Sequence, residues 1–423
     1  MGRDQLRVLA ILAAVLLVVT ACRLGGVKTA VGVEGKIIRL GEITPLTGSA
    51  AVIGKPLTRG HEVYFQYVNE VLGGVGKDLP KDQRYRVELV TLDSQYLPDV
   101  QVQQYNAMKD KVLMIAQSLG TAHTKAILPQ IREDKILTGA ATLSSEWLRE
   151  KYVIPAGAPY PAQYINAGAY LKEQGVTPKA GIIYQDDDYG AEGVKGLEFA
   201  AKQFGFSIVA KAAYKPTDTE FAAPVTAMKN AGADHVFLTS IPGSTGRILG
   251  TAAALQYTPR FIGTSPAWAG VLVGTAAQPS PLLPLMQKSL WIVTDAQCAW
   301  GDVGKGCEGM KELIDNHKKF GGDQPPDYYF IFGYTQARIV HQILEKAVAD
   351  GDLTREGVVK AFESLKQVDM GGLLNAISYG SACKDKVPAT GSSIWSIDPS
   401  QPIALKLVKT LDSPAVKQFP FCD

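Results

Sequence analysis

The sequence predicts an α/β protein built from two successive series of parallel-sheet units. Three observations carry this. From residue 36 onward, short apolar runs with strand character alternate with segments of helical period. The alternation starts afresh near residue 157, after a crossing at "VIPAG" (153–157). In the second series Gly175, Gly205 and Gly232 stand where helices should close, as residues in the left-handed cap conformation do. Strands alternating with helices of this length mean βαβ units, with the sheets covered on both faces.

In the first series "KIIRLGEITPL" precedes "KPLTRGHEVYFQYVNEVL", whose Val63, Tyr67, Val68 and Val71 share a helical face. "YRVELVTLD" precedes "DVQVQQYNAMKD", "KVLMIAQSL" precedes "HTKAILPQIRED", and "KILTGAAT" follows. The second series runs "PAQYINAGAYLKEQG", "KAGIIYQDDDYG", "AEGVKGLEFAAKQFG", "FSIVAKAAY", "FAAPVTAMKNAG", "ADHVFLTS" and "STGRILGTAAALQY". A long amphipathic helix, "GYTQARIVHQILEKAVADG", comes late. The chain closes on two strand-like pieces, "SSIWSID" and "PIALKLV", too few for a third domain and expected to return to the earlier sheets. No repeat of solenoid period is visible. With 423 residues, 46% of them apolar, the chain can bury a sizeable core and wholesale disorder is excluded.

The N-terminus reads as an export signal. A short, weakly basic head precedes "VLAILAAVLLVVTA" (8–21), an uncharged apolar run of 14 residues. That is short of the roughly 20 needed to span a bilayer and suits a signal-peptide core. It ends in "VVTAC" (18–22), which resembles the lipobox of bacterial lipoproteins and implies that Cys22 is lipidated after cleavage. Residues 23–35 are Gly-rich and aperiodic, as in a flexible tether. Removing residues 1–22 takes away Arg3, Asp4 and Arg7, so 43 basic residues become 41 and 41 acidic residues become 40. A net charge of +2 for the whole chain and +1 for the rest makes no electrostatic case for nucleic acid.

Four cysteines remain, Cys298, Cys307, Cys383 and Cys422. An even number in an exported chain favours disulfides over metal ligation. Three pairings are open, and proximity favours Cys298–Cys307 with Cys383–Cys422. No CxxC occurs, which speaks against redox or zinc-ribbon chemistry.

In open parallel sheets ligands bind beyond the carboxyl ends of the strands. Three loops lie at such ends: "SLGTAHT" (118–124), "TGAATLSS" (138–145) and "QDDDYGAE" (185–192). In the first, Thr121 is placed to cap the following helix, whose free N–H groups favour an anionic group. Trp268 and Tyr160 fall in loops and are candidates for ligand contact, whereas "YYFIFGY" (328–334) reads as helix core and His123 as solvated.

Catalytic chemistry finds no support. "GDVGKG" (301–306) and "VIGKPLT" (52–58) lack the spacing and the Ser/Thr of a phosphate-binding P-loop. "GSTG" (243–246) is not a nucleophile elbow. His61, His123, His235, His317 and His341 are scattered, with no pair at i, i+4. Asp186–Asp188 lack the Gly and Glu of an EF-hand loop and read as acids at a helix N-terminus. No metal, no cofactor and no enzymatic activity is therefore expected.

Five stretches in order resemble the branched-chain amino acid (leucine/isoleucine/valine-binding) family of extracytoplasmic solute-binding proteins of ABC importers. They are "GEITPLTGSAAVIGKPLTRGHEVYFQYVNE" (41–70), "SLGTAHTKA" (118–126), "TGAATLSSEW" (138–147), "IIYQDDDYGAEGVKG" (182–196) and "DYYFIFGYTQARIVHQILEKA" (327–347). The likeness runs from about Lys36 to about Lys409. It implies the type I periplasmic binding protein architecture, two Rossmann-like lobes joined by hinge strands. Lobe 1 would be residues 36–156 with 302–390, lobe 2 residues 157–301 with 391–412, and 413–423 a tail. The resemblance implies a monomer, lipid-anchored outside the cytoplasm, that closes on a small solute and delivers it to permease and ATPase subunits. The alternatives are a ligand-sensing domain of a signalling system and, further off, a secreted α/β hydrolase.

By the same resemblance Ser118, Gly120, Thr121, Ala140 and Thr142 hold a ligand carboxylate, and Tyr189 with Gly190 packs on the ligand as the lobes close. The family also pairs the ligand ammonium with an acid after a later strand, but "FIGTSPAWAG" (261–270) contains none. Either another acid such as Asp186 serves, or the ligand is a hydrophobic carboxylate or amide, which Ser265 and Trp268 suit better.

Overall fold

A computed structural model describes residues 26–386 and 388–423. The signal segment and Cys22 lie outside the described residues. The first sheet takes β2 (Val33–Glu34) at one edge, whereas β1 (Lys28–Thr29) pairs outside it; residues 28–34, expected as part of a tether, are thus held by strand pairing. The body of the sheet is β3 (Ile37–Thr44), β4 (Arg86–Asp93), β5 (Met114–Leu119), β6 (Thr138–Ala141) and β7 (Val153–Ile154). These five strands are parallel in the order β4-β3-β5-β6-β7, and β2 pairs antiparallel with the start of β3. All six residues of β5 are buried, the polar Gln117 and Ser118 included, which is why it shows no alternation of apolar and polar residues.

The intervening helices are α1 (Ala51–Tyr67), α2 (Pro98–Met108), α3 (Thr121–Ala126) and α4 (Leu128–Asp134). The face expected of α1 holds at Val63 and Val68, but Val71 is half exposed. The helix widens into a π turn over Val68–Leu72, and that turn rotates later residues off the stripe.

The second sheet repeats the winding. After α5 (Tyr160–Glu173) come β8 (Lys179–Gln185), α6 (Asp188–Phe204), β9 (Ser207–Tyr214), α7 (Ala222–Asn230) and β10 (His235–Thr239). Then follow α8 (Pro242–Ala254), β11 (Arg260–Thr264), α9 (Leu283–Ser289) and β12 (Leu290–Thr294). The parallel strands lie in the order β9-β8-β10-β11-β12, so in both sheets the strand that opens the series lies second. Each sheet therefore has a switch point beside its opening strand, between β3 and β5 in one and between β8 and β10 in the other. There the connections leave in opposite directions and a crevice opens.

The chain then returns to the first lobe with α10 (Glu308–Phe320), α11 (Tyr328–Ala349), β13 (Asp352–Leu353) and α12 (Arg355–Ser364). Helix α11 packs along α1, and β13 pairs with β1. The closing strands β14 (Ser392–Ile397) and β15 (Leu405–Leu411) both extend the second sheet antiparallel beyond β12; neither returns to the first. Cys298 is bonded to Cys307 and Cys383 to Cys422, the latter fastening the C-terminal tail.

Three stretches of chain thus pass between the lobes: after β7, after β12 and before β14. Side chains tie them together. The Asn375 amide donates to the carbonyls of Asp295 (3.2 Å) and Gly391 (2.8 Å), and the Tyr379 hydroxyl donates to the carbonyl of Pro155 at 2.9 Å. Gly157, at φ +68°, lies so close to Asp295 that a Cβ there would stand 1.8 Å from Oδ2. Gly157→Ala must therefore displace the carboxylate and adopt a left-handed backbone. It is expected to cost about 2–4 kcal/mol in urea unfolding; a variant as stable as the parent would show that the crossings are not locked here.

Candidate ligand-binding site

The two switch points face one another across a small cavity lined by residues of both lobes, at the carboxyl ends of the strands where ligands bind in such sheets. Lobe 1 contributes Gly120 and Thr121 from the end of β5 and Ala141, Thr142 and Leu143 from the end of β6. It adds Ile53 and Leu57 of α1, Tyr96 from the loop after β4, and Tyr328, Tyr329 and Phe332 of α11. Lobe 2 contributes Tyr160, Tyr189, Ile241, Ser265 and Pro266. Every one of these residues except Pro266 is buried. None is acidic, basic or histidine.

Few polar atoms face this space, and most already have partners. The hydroxyls of Thr121 and Thr142 are 2.5 Å apart, and that of Tyr160 is 3.4 Å from Thr142. The Tyr160 and Tyr189 rings meet at 4.8 Å between centroids. The Tyr189 hydroxyl is 2.7 Å from that of Thr264 and donates to the Ser240 carbonyl at 3.1 Å. Ser265 is held by Gln163, which accepts from its N–H at 3.0 Å and donates to its hydroxyl at 3.3 Å. Burial pushes the Tyr160 phenol up to about 12 and Tyr189 well above the ordinary value, so both remain neutral donors.

Of the residues expected from sequence, the fold brings Gly120, Thr121, Thr142, Tyr160, Tyr189 and Ser265 to one cavity. Ser118, Ala140 and Trp268 do not line it. Ser118 still belongs to β5, and its hydroxyl is taken by Gln101 (2.9 Å) and Thr124 (2.8 Å). The Ala140 methyl packs with Leu128, Trp147 and Val153. In both strands the site begins a residue or two further on, where the backbone leaves the sheet. Trp268 is buried, and it is its carbonyl that accepts, at 2.5 Å, from the Tyr329 hydroxyl.

Thr121 does not cap α3: Gly120, at φ +101°, is the cap, and the Thr121 hydroxyl turns to Thr142 instead. Asp186 is exposed and does not line the cavity, while Asp187 caps α6 by accepting from the N–H groups of Tyr189 and Gly190. Tyr160 opens helix α5 rather than lying in a loop. The aromatic run of α11 is only half core. Tyr328, Tyr329 and Phe332 line the cavity, since positions 328, 329 and 332 share one helical face.

His123 is not solvated. It is buried with its ring stacked on Tyr96 at 4.1 Å, and burial draws its pKa down to about 4. Tyr96 itself carried no signal in the sequence. It and Gln95 both sit at positive φ (58° and 53°), an unusual conformation for such residues, found where the surroundings impose it.

The lobes touch around the cavity. The Gln185 amide of lobe 2 donates to the Tyr96 hydroxyl at 3.3 Å, and buried Glu192 accepts from the Ser145 N–H at 2.6 Å. Lys125 of α3 pairs with Asp188 of α6 at 2.5 Å and with Glu146 at 3.2 Å. The Tyr329 hydroxyl reaches the Ser265 carbonyl at 3.3 Å. The cavity is thus enclosed by residues of both lobes in contact.

The model of the family described as periplasmic binding protein matches residues 37–398. The chain belongs to this family. A relative named Leu/Ile/Val-binding protein homolog 7, from Brucella abortus, is 22% identical over 370 residues, 81% of this chain and 84% of its own. A fatty acid ABC transporter substrate-binding protein from Thermomonospora curvata superposes with a TM-score of 0.83 at 28% identity, covering 93% of this chain and 97% of its own. A branched chain amino acid ABC transporter structure from Thermus thermophilus with bound valine superposes with a TM-score of 0.75 at 17% identity, covering 91% and 99%. The fold is that of the two-lobed type I periplasmic binding proteins. Periplasmic binding proteins are extracytoplasmic substrate-binding components of transporters; among the described residues no helix is long and apolar enough to cross a membrane.

In this periplasmic binding protein one buried acid stands behind the cavity wall. Asp295 is fully buried; its Oδ1 accepts from the cavity-lining Tyr328 hydroxyl at 2.6 Å, while Oδ2 has no partner among the described residues. Desolvation pushes its pKa up to about 6, against the Tyr328 bond that lowers it. A raised carboxyl pKa means that the folded state binds the extra proton. Stability from this group is complete below pH about 4 and is lost as pH rises through about 6. Asp295→Asn should therefore flatten the stability profile between pH 4 and pH 6 in urea titrations. An unchanged slope would assign that titration to other groups.

Proposed function

We propose that this protein is a transport receptor for a small hydrophobic carboxylate. It would be anchored outside the cytoplasm by lipid on Cys22 and deliver its ligand to an ABC permease. One observation carries the ligand class: the cavity lining contains hydroxyls, aromatic rings and aliphatic side chains but no Asp or Glu. An α-amino acid would bring an ammonium into this space, and an unpaired buried charge is disfavoured by several kcal/mol.

A lone carboxylate suits the site better. Thr121 opens α3, so its N–H has no acceptor within the helix. That N–H, with the Thr121 and Thr142 hydroxyls, can supply charge-assisted hydrogen bonds at one end. Ile53, Leu57, Leu143, Ile241 and Phe332 would receive the apolar remainder. The name of the Thermomonospora curvata relative, a fatty acid transporter component, supports the same class. Binding would proceed without covalent chemistry. The ligand docks on lobe 1, and closure follows because the contacts from Tyr160, Tyr189 and Ser265 of lobe 2 exist only when both lobes surround it.

Leucine and 4-methylpentanoate share a skeleton and differ by the amino group, so they separate the two classes. The carboxylate, at about one hundred times its Kd, should stabilise the protein by about 2.7 kcal/mol and raise Tm by a few degrees, with leucine far weaker. Leucine binding as well as or better than 4-methylpentanoate would overturn this reading.

Thr142→Val deletes one hydroxyl donor while keeping the shape. It should raise Kd about tenfold by calorimetry, as expected for a hydrogen bond to a charged group. The anchor has its own check: Cys22→Ala should move the protein from the membrane to the soluble fraction, and continued membrane attachment would refute lipidation there.

A further inference from the structure

Beside the closed cavity lies an open groove, also formed by both lobes. Its walls are mainly apolar. Lobe 1 supplies Val52 and Pro56 of α1 and Pro325 and Pro326 before α11; lobe 2 supplies Val271 and Val273. The turn Pro399–Ala404, between β14 and β15, completes the rim. Val52 is 40% exposed and Val271 66%, a poor arrangement for two valines unless something covers them.

Three elements run without a break from the cavity to this groove. On α1, Ile53 and Leu57 line the cavity, and the preceding residues Val52 and Pro56 line the groove. Ser265 and Pro266 line the cavity, and the same loop reaches the groove at Ala269. At the start of α11, Tyr328 and Tyr329 face the cavity and Asp327 the groove. Pro266, on this path, is the single cavity-lining residue that is not buried.

Resting on the carboxylate reading above, we propose that the groove receives the hydrocarbon tail of the ligand. The substrate class is then an elongated aliphatic carboxylate, its head enclosed between the switch points and its chain leaving past Pro266 between Val52 and Val271. Because one wall belongs to each lobe, a tail in the groove contacts both only when they are closed, so chain length would favour closure as well as binding.

The test is calorimetry of the full chain with straight-chain carboxylates from four to twelve carbons, on the parent and on Val271→Asp. Val271 is exposed, so the substitution leaves the core untouched. Affinity in the parent should keep rising beyond about six carbons, by up to about fourfold per methylene covered. Val271→Asp should weaken the twelve-carbon ligand tenfold or more and leave the four-carbon ligand within twofold. Short chains that bind while longer ones gain nothing or are excluded would overturn the groove and leave the carboxylate reading standing. Equal effects of Val271→Asp on short and long chains, or no effect on either, would also overturn it, the latter leaving the groove to a protein partner. Failure of every carboxylate to bind would remove both proposals together.

Discussion

Everything that happens in the cleft depends on three separate crossings of the chain being tied at one buried point, Asp295. Its side chain accepts from Tyr328 of lobe 1, its carbonyl accepts from Asn375 of the third crossing, and Gly157 of the first lies against Oδ2. A single crossing would let the lobes swing freely; three bound together restrict them to one coordinated motion. The carboxylate is an expensive group to place there, being desolvated and satisfied on one oxygen only. Glycine at 157 leaves the space it occupies.

That constraint gives the rest of the design its geometry. Each lobe is an open sheet with its opening strand second in the spatial order, so each has one crevice at the carboxyl ends of its strands. The hinge sets these crevices face to face. Loops that would merely turn the chain in an isolated sheet then become the two halves of a closed site. The interlobe contacts divide by burial. Glu192 with the Ser145 amide is sheltered and directional, whereas Lys125 with Asp188 is partly exposed and contributes little by itself.

The cavity lining carries no charged side chain. Tyrosines 160, 189, 328 and 329 provide rigid walls, and the hydroxyls of three of them are committed to Ser240, Asp295 and Trp268. The cavity therefore presents rings rather than free phenols, with threonine hydroxyls at one end.

The alternation of apolar runs with helical segments established two parallel α/β units, because strand and helix periods are local properties of the chain. The missing acid in residues 261–270 was equally legible, since it required only a motif and its gap. The sequence could place the loops at strand ends but not the register at which each strand stops. A slip of one residue exchanges the two faces of a strand, and so Ser118 and Ala140 belong to the sheets while Thr121 and Thr142 belong to the site. Tyr96, Tyr328, Tyr329 and Phe332 come from loops and helices far apart in the chain, and only the closed arrangement of the lobes brings them to one cavity. What the sequence decided was each unit's winding; the tertiary structure decided which side chains meet, because that depends on how two separately folded sheets are held against one another.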